Sequence, residues 1–138
     1  MVCTMKIYLA YQYTGKNKTK LKENLEKISS SLEQKGHNTF IFLRNINNWG
    51  EKEIETKNII PLAFKEIKNS DLLFIFIDKY SASTGIGLEI GYAKGLGIPV
   101  VIAIRENDSD NYLLSLYDKL IEYKDFEDLL NKIERTEF

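Results

Sequence analysis

The chain has 138 residues, a formal net charge of −1, 43% hydrophobic and 28% charged residues. That length fills one ordinary core and leaves no room for two, and the balanced charge gives neither nucleic acid nor an acidic membrane an electrostatic claim as partner. A single cysteine, Cys3, rules out an internal disulfide, and one cysteine with one histidine, His37, is too few for a zinc site, so neither metal nor cofactor is expected.

The opening MVCTMKIYLAYQY has too short an apolar stretch for a signal peptide, and no run nears the roughly 18 apolar residues of a membrane span. A cytoplasmic protein with one domain over residues 1–138 is expected, since no repeat or Pro/Gly-rich linker divides it. KIYLA (6–10) predicts the first strand. Leu21, Leu25, Ile28 and Leu32 then recur at helical spacing up to Gly36, a residue that stops helices. NTFIFL (38–43) predicts a second strand, and Ile60, Ala63, Phe64 and Ile67 a second helix. LLFIFI (72–77) follows as a strand apolar at every position, suited to burial on both faces.

Ile86, Ile90, Ala93 and Gly97 predict a third helix, IPVVIAI (98–104) a further strand and LIEY (120–123) a weak last one. Phe126, Leu129, Leu130 and Ile133 predict the closing helix. Strands alternating with helices imply right-handed βαβ units in an α/β, doubly wound, flavodoxin- or Rossmann-like fold: a five-stranded, mainly parallel sheet inside three αβα layers. Ligands of such sheets sit beyond the carboxyl ends of the strands. Here those ends read AYQYTGKNK, RNINNWG, DKYSASTGIG and RENDSDN.

The third of these runs into STGIGLEIGYAKGLGIPV (83–100). Glycines before a helix offer bare amides to a phosphate, yet Glu89 stands four residues after Gly85 and two after Gly87, where a pure phosphate cradle gains nothing from a negative charge. Near a helix start the dipole favours an ionised carboxylate, which can serve as nucleophile or charge stabiliser; a surface acid merely complementing the dipole is the plain alternative. A capping box does not explain it, because the residue three before is Ile86. Gly85 and Gly87 also have a plain alternative, the positive φ of a tight turn. The spacing matches neither the Walker pattern nor the dinucleotide fingerprint, because Ile90 stands where the third glycine belongs.

STGIGLEIGYAKGLGIPVVIAI, with its S-x-G-x-G-x-E-x-G-x-A pattern, resembles the signature of the nucleoside 2-deoxyribosyltransferase superfamily, and within it the 2′-deoxynucleoside 5′-monophosphate N-glycosidases. With KIYLA and SDLLFIFID the resemblance runs from Lys6 to about Ile104. It implies that Glu89 attacks the anomeric carbon of the deoxyribose and that Tyr8 orients it. Ser83, six before Glu89, stands where transferases of uncharged nucleosides carry aspartate; a hydroxyl donates to phosphate where a carboxylate repels it, though Ser83 is also an ordinary helix cap. TGKNKTK sets Gly15, Lys16, Lys18 and Lys20 after the first strand, where a bound anion or plain solvent satisfies the cations. LLSLYD resembles the segment whose serine, here Ser115, reaches the neighbouring subunit's phosphate, which implies a homodimer.

The chain departs from the family at Ala63, where an aspartate for the departing base is usual. Glu66 or Asp78 replaces it, or the base partner differs, or catalysis is impaired. Tyr11, Gln12 and Trp49 stand in the flanking loops; Tyr11 and Trp49 are candidate walls for a base, and a loop anchor is the other reading of Trp49. The expected substrate is a small deoxynucleotide or nucleoside, with base exchange, loss of activity in a nucleotide sensor and a Toll/interleukin-receptor-like NAD glycohydrolase as competing readings.

Overall fold

A computed structural model describes residues 3–79, 83–108 and 115–138. Five strands, β1 (Lys6–Tyr11), β2 (Asn38–Phe40), β3 (Leu72–Ile77), β4 (Val100–Arg105) and β5 (Lys119–Tyr123), lie in the order β2-β1-β3-β4-β5. Every neighbouring pair is parallel, so the sheet expected to be mainly parallel is wholly so. The helices are α1 (Lys18–Gln34), α2 (Phe42–Asn45), α3 (Thr56–Lys68), α4 (Thr84–Gly95) and α5 (Phe126–Arg135). Side chains of β1 alternate across the sheet: Ile7 and Leu9 join the core under α1 and α5, while Tyr8 and Ala10 join the core under α3 and α4.

The helix signals act through identifiable bonds. After α1, the Gly36 N–H donates to Glu33 O and the His37 N–H to Leu32 O, with Gly36 at φ +93°; after α4, Gly97 donates to Lys94 O and Ile98 to Ala93 O, with Gly97 at φ +73°. Both are Schellman closures, in which a glycine takes the left-handed turn that releases the chain toward the next strand.

One strand ends early. NTFIFL predicts residues 38–43, but β2 stops at Phe40, because the Ile41 N–H donates to Asn45 Oδ1 (3.0 Å) and the Leu43 N–H to Tyr11 Oη (2.8 Å) rather than to a sheet neighbour. These bonds start α2 and turn Phe42 and Leu43 over the end of β1. Farther along the same carboxyl-end rim, fully buried Tyr123 donates to Ile77 O (2.5 Å), and Arg105 lies over its ring. Tyr123→Phe removes this buried hydrogen bond and is expected to cost about 0.5–1.5 kcal/mol in a denaturant titration with unchanged slope.

Candidate active site

Between β1 and β3 the winding of the sheet reverses, the place where open α/β sheets form a crevice. A cavity of about 460 Å³ occupies it on the α3/α4 side, within the range that takes a small molecule. Tyr8, Ala10 and Tyr11 form its floor, Gly85 and Glu89 of α4 one wall, and Ile59, Ile60 and Ala63 of α3 another. Tyr13 and residues of the segment from Phe42 to Ile54, among them Asn47, Lys52 and Glu53, supply the rest.

α4 is an unlikely helix by composition, TGIGLEIGYAKG, since each interior glycine costs close to 1 kcal/mol relative to alanine. Ser83 caps it, accepting the Ile86 N–H at 3.3 Å, and burial of Ile86, Ile90 and Ala93 holds it to the sheet. Gly85 and Gly87 are helical rather than left-handed, so the tight-turn explanation does not apply to them. The expectation for Glu89 also changes. The helix starts at Thr84, which puts Glu89 in its second turn, where the dipole has largely faded. Burial prevails instead and pushes its carboxyl up to about 7, opposed by a hydrogen bond from the Tyr8 hydroxyl. Tyr8 itself is raised well above the ordinary tyrosine range, first by burial and then by the adjacent Glu89. The result is a partly buried acid, oriented by a buried phenol and lining a cavity, with its proton poised near neutrality.

The other expected site residues separate into distinct places. Tyr11 lines the cavity, its hydroxyl accepting from Leu43, and burial raises its pKa. Ser83 and Gly87 flank Gly85 on α4 without lining the cavity. Lys16 and Asp78 line a second, smaller cavity of about 80 Å³ under α1, together with Gln12 and Asn24. Lys16 Nζ donates to Lys79 O (2.6 Å), and both Nε and Nη2 of Arg105 donate to Asp78 Oδ1 at 2.9 and 2.8 Å. Gly15 makes the preceding turn at φ +76°. Lys18 bonds Tyr13 O and covers its ring, and Lys20 pairs loosely with Glu23.

Trp49 stands off the cavity, packed on the α1-side core beneath Lys22, and Glu66 is held by Lys6 at 3.0 Å. LLSLYD begins in 113–114, outside the described residues; Ser115 is exposed. Asn47, Lys52, Glu53 and Ile54 were not anticipated as lining residues, although RNINNWG at the carboxyl end of β2 marked their neighbourhood. Among the described residues no cluster of three or more His, Cys, Asp or Glu is placed to hold a metal, and no helix is long and apolar enough to cross a membrane.

A family profile described as nucleoside 2-deoxyribosyltransferase matches residues 7–131. No curated protein matches the sequence. Among solved structures, the CMP N-glycosidase BcmB of Clostridium botulinum is similar at 21% identity and TM-score 0.70, over 94% of this chain and 98% of that one. The 2-deoxyribosyltransferase of Bacillus psychrosaccharolyticus is similar at 25% identity and TM-score 0.66, over 96% and 93%. BlsM, solved in solution, reaches a TM-score of 0.74 at 20% identity, over 94% and 86%.

Proposed function

We propose that this chain, which belongs to the nucleoside 2-deoxyribosyltransferase family, hydrolyses the N-glycosidic bond of 2′-deoxynucleoside 5′-monophosphates through Glu89, releasing base and deoxyribose 5-phosphate. Its family makes it a glycosidase- or pentosyltransferase-like enzyme. The observation that carries the finer reading is the Glu89–Tyr8 pair, a carboxylate and a phenol hydrogen-bonded to each other on the wall of a cavity of about 460 Å³.

The chemistry follows from that pair. Ionised Glu89 attacks C1′ as the base departs, or stabilises the oxocarbenium character that develops there; Tyr8 holds the carboxylate toward the sugar. Water then attacks C1′ and the bond to Glu89 breaks; the proton that water gives up balances the one the departing base takes up, and the sugar phosphate leaves. At the 5′ end, Ser83 Oγ accepts from Ile86 but keeps its own proton to donate, and the amide of Gly85 lies at the amino end of α4. A Cβ built on Gly85 would meet no heavy atom within 4 Å, so the glycine leaves open space beside those donors for a phosphate.

Base exchange is the second reading, favoured by the likeness to the Bacillus transferase, and it shares every step until a second base replaces water. Ile59, Leu88 and Leu96 stay exposed on and just beyond α3 and α4, which supports a homodimer covering that side, with Ser115 serving the neighbouring site. We place this single-domain enzyme in the cytoplasm. Deoxy- and ribonucleoside monophosphates incubated with and without a second free base, then separated by chromatography, test the proposal. Free base and deoxyribose 5-phosphate in equal amounts are expected; a new nucleotide carrying the added base would establish exchange, and intact nucleotides throughout would overturn both.

A further inference from the structure

The departing base still needs a partner, because Ala63 provides no polar side chain. The two carboxylates expected to replace the family aspartate are spoken for: Glu66 pairs with Lys6 at 3.0 Å, and Asp78 is held by Arg105 beside the smaller cavity. Apart from Glu89, one carboxylate among the described residues lines the large cavity, and it is Glu53. It is exposed and makes no hydrogen bond or ion pair with another described residue.

Glu53 follows an unusual turn. Asn48, Trp49 and Gly50 take φ values of +48°, +56° and +98° in succession; the first two are left-handed residues with a Cβ, a conformation that costs of order 1 kcal/mol or more each. The turn is pinned nonetheless. The Lys52 N–H donates to Asn47 O (2.8 Å), Asn47 Nδ2 donates back to Lys52 O (3.0 Å), Asn48 Nδ2 donates to Glu51 Oε2 (2.7 Å), and Trp49 is packed into the α1-side core. Strain held by this many contacts fixes where the following residues emerge, which is against the cavity wall facing α3 and α4.

Building on the nucleotide reading of the cavity, we propose that Glu53 is the specificity residue that touches the base and selects bases with an exocyclic amino group. A carboxylate only accepts hydrogen bonds. The amino groups of cytosine, adenine and guanine donate to it, whereas thymine and uracil present one N–H flanked by two carbonyl oxygens that repel it. A site built around such a bond rejects the analogue that lacks the donor.

The test compares wild type with Glu53→Ala and Glu53→Gln on dCMP, dAMP, dGMP, dTMP and dUMP. Wild type should favour the three amino-bearing nucleotides, and Glu53→Ala should lower kcat/KM for them roughly 10- to 100-fold while changing dTMP and dUMP by less than about threefold. An unchanged preference, or an equal loss on all five, would overturn the assignment. Should wild type hydrolyse none of them, the reaction proposed above fails by itself. Calorimetric titration of the same nucleotides then decides the present inference: weaker binding of the amino-bearing set to Glu53→Ala supports it, and equal binding refutes it.

Discussion

Glu89→Ala is expected to lower the rate of base release at least about 1000-fold while the protein stays folded, because the substitution removes the group that bonds to, or neutralises, the sugar carbon. Retention of most of the activity would show that the acid is not the nucleophile. Stability supplies a second readout of the same side chain. Its carboxyl is held near 7, against an ordinary 4.5, because burial disfavours its charge. A folded-state pKa raised in this way gives stability that is fully present below pH 4.5 and is lost as pH climbs through 7. Above that, the folded protein carries a buried charge that the unfolded chain would carry in water. Glu89→Gln removes the penalty and should stabilise the protein at pH 8 by up to about 3 kcal/mol, at 1.36 kcal/mol per pKa unit, with little gain at pH 4. A variant that loses activity and gains stability in this pH-dependent way shows a strained functional group rather than a structural one.

The second large effect concerns pH. A nucleophilic carboxylate must be ionised, so the rate should rise about tenfold between pH 6 and pH 8 and level off beyond, following the Glu89 titration near 7. Tyr8 sets the position of that curve, since its hydrogen bond favours the ionised form while burial opposes it. In Tyr8→Phe the opposing influence is lost. The midpoint should move to higher pH, and activity at pH 7 should fall by roughly 10- to 100-fold, with much of the loss recovered at higher pH. A pH–rate profile of the two proteins measures this; parallel curves with one midpoint would mean that Tyr8 acts only as core.

Much of this arrangement is legible in the residues alone. Strands apolar at every position, such as LLFIFI, announce a sheet covered on both sides, and the Leu21–Leu32 spacing closed by Gly36 announces α1, because burial and chain reversal are written locally. The S-x-G-x-G-x-E-x-G-x-A pattern brings Glu89 and Ser83 to one helix for the same reason. Four features are not written locally. β2 ends at Phe40 because Asn45 and Tyr11 take the amides of Ile41 and Leu43, and those partners depend on tertiary folding. Glu89 titrates near neutrality because of what packs around it, so its position near a helix start pointed the wrong way. Asp78 leaves β3 beside Arg105 and the smaller cavity, and Glu53 reaches the larger cavity only through a left-handed turn whose cost no propensity argument would accept.

The most direct measurement of the central claim is a crystal structure of the Glu89→Gln variant with a 2′-deoxynucleoside 5′-monophosphate bound. The account predicts the side chain of residue 89 within about 3.5 Å of C1′, the 5′-phosphate at the amino end of α4 beside Ser83 and Gly85, and the base between α3 and residues 47–54. A nucleotide bound in the cavity with C1′ out of reach of residue 89, or bound at another surface altogether, would contradict it.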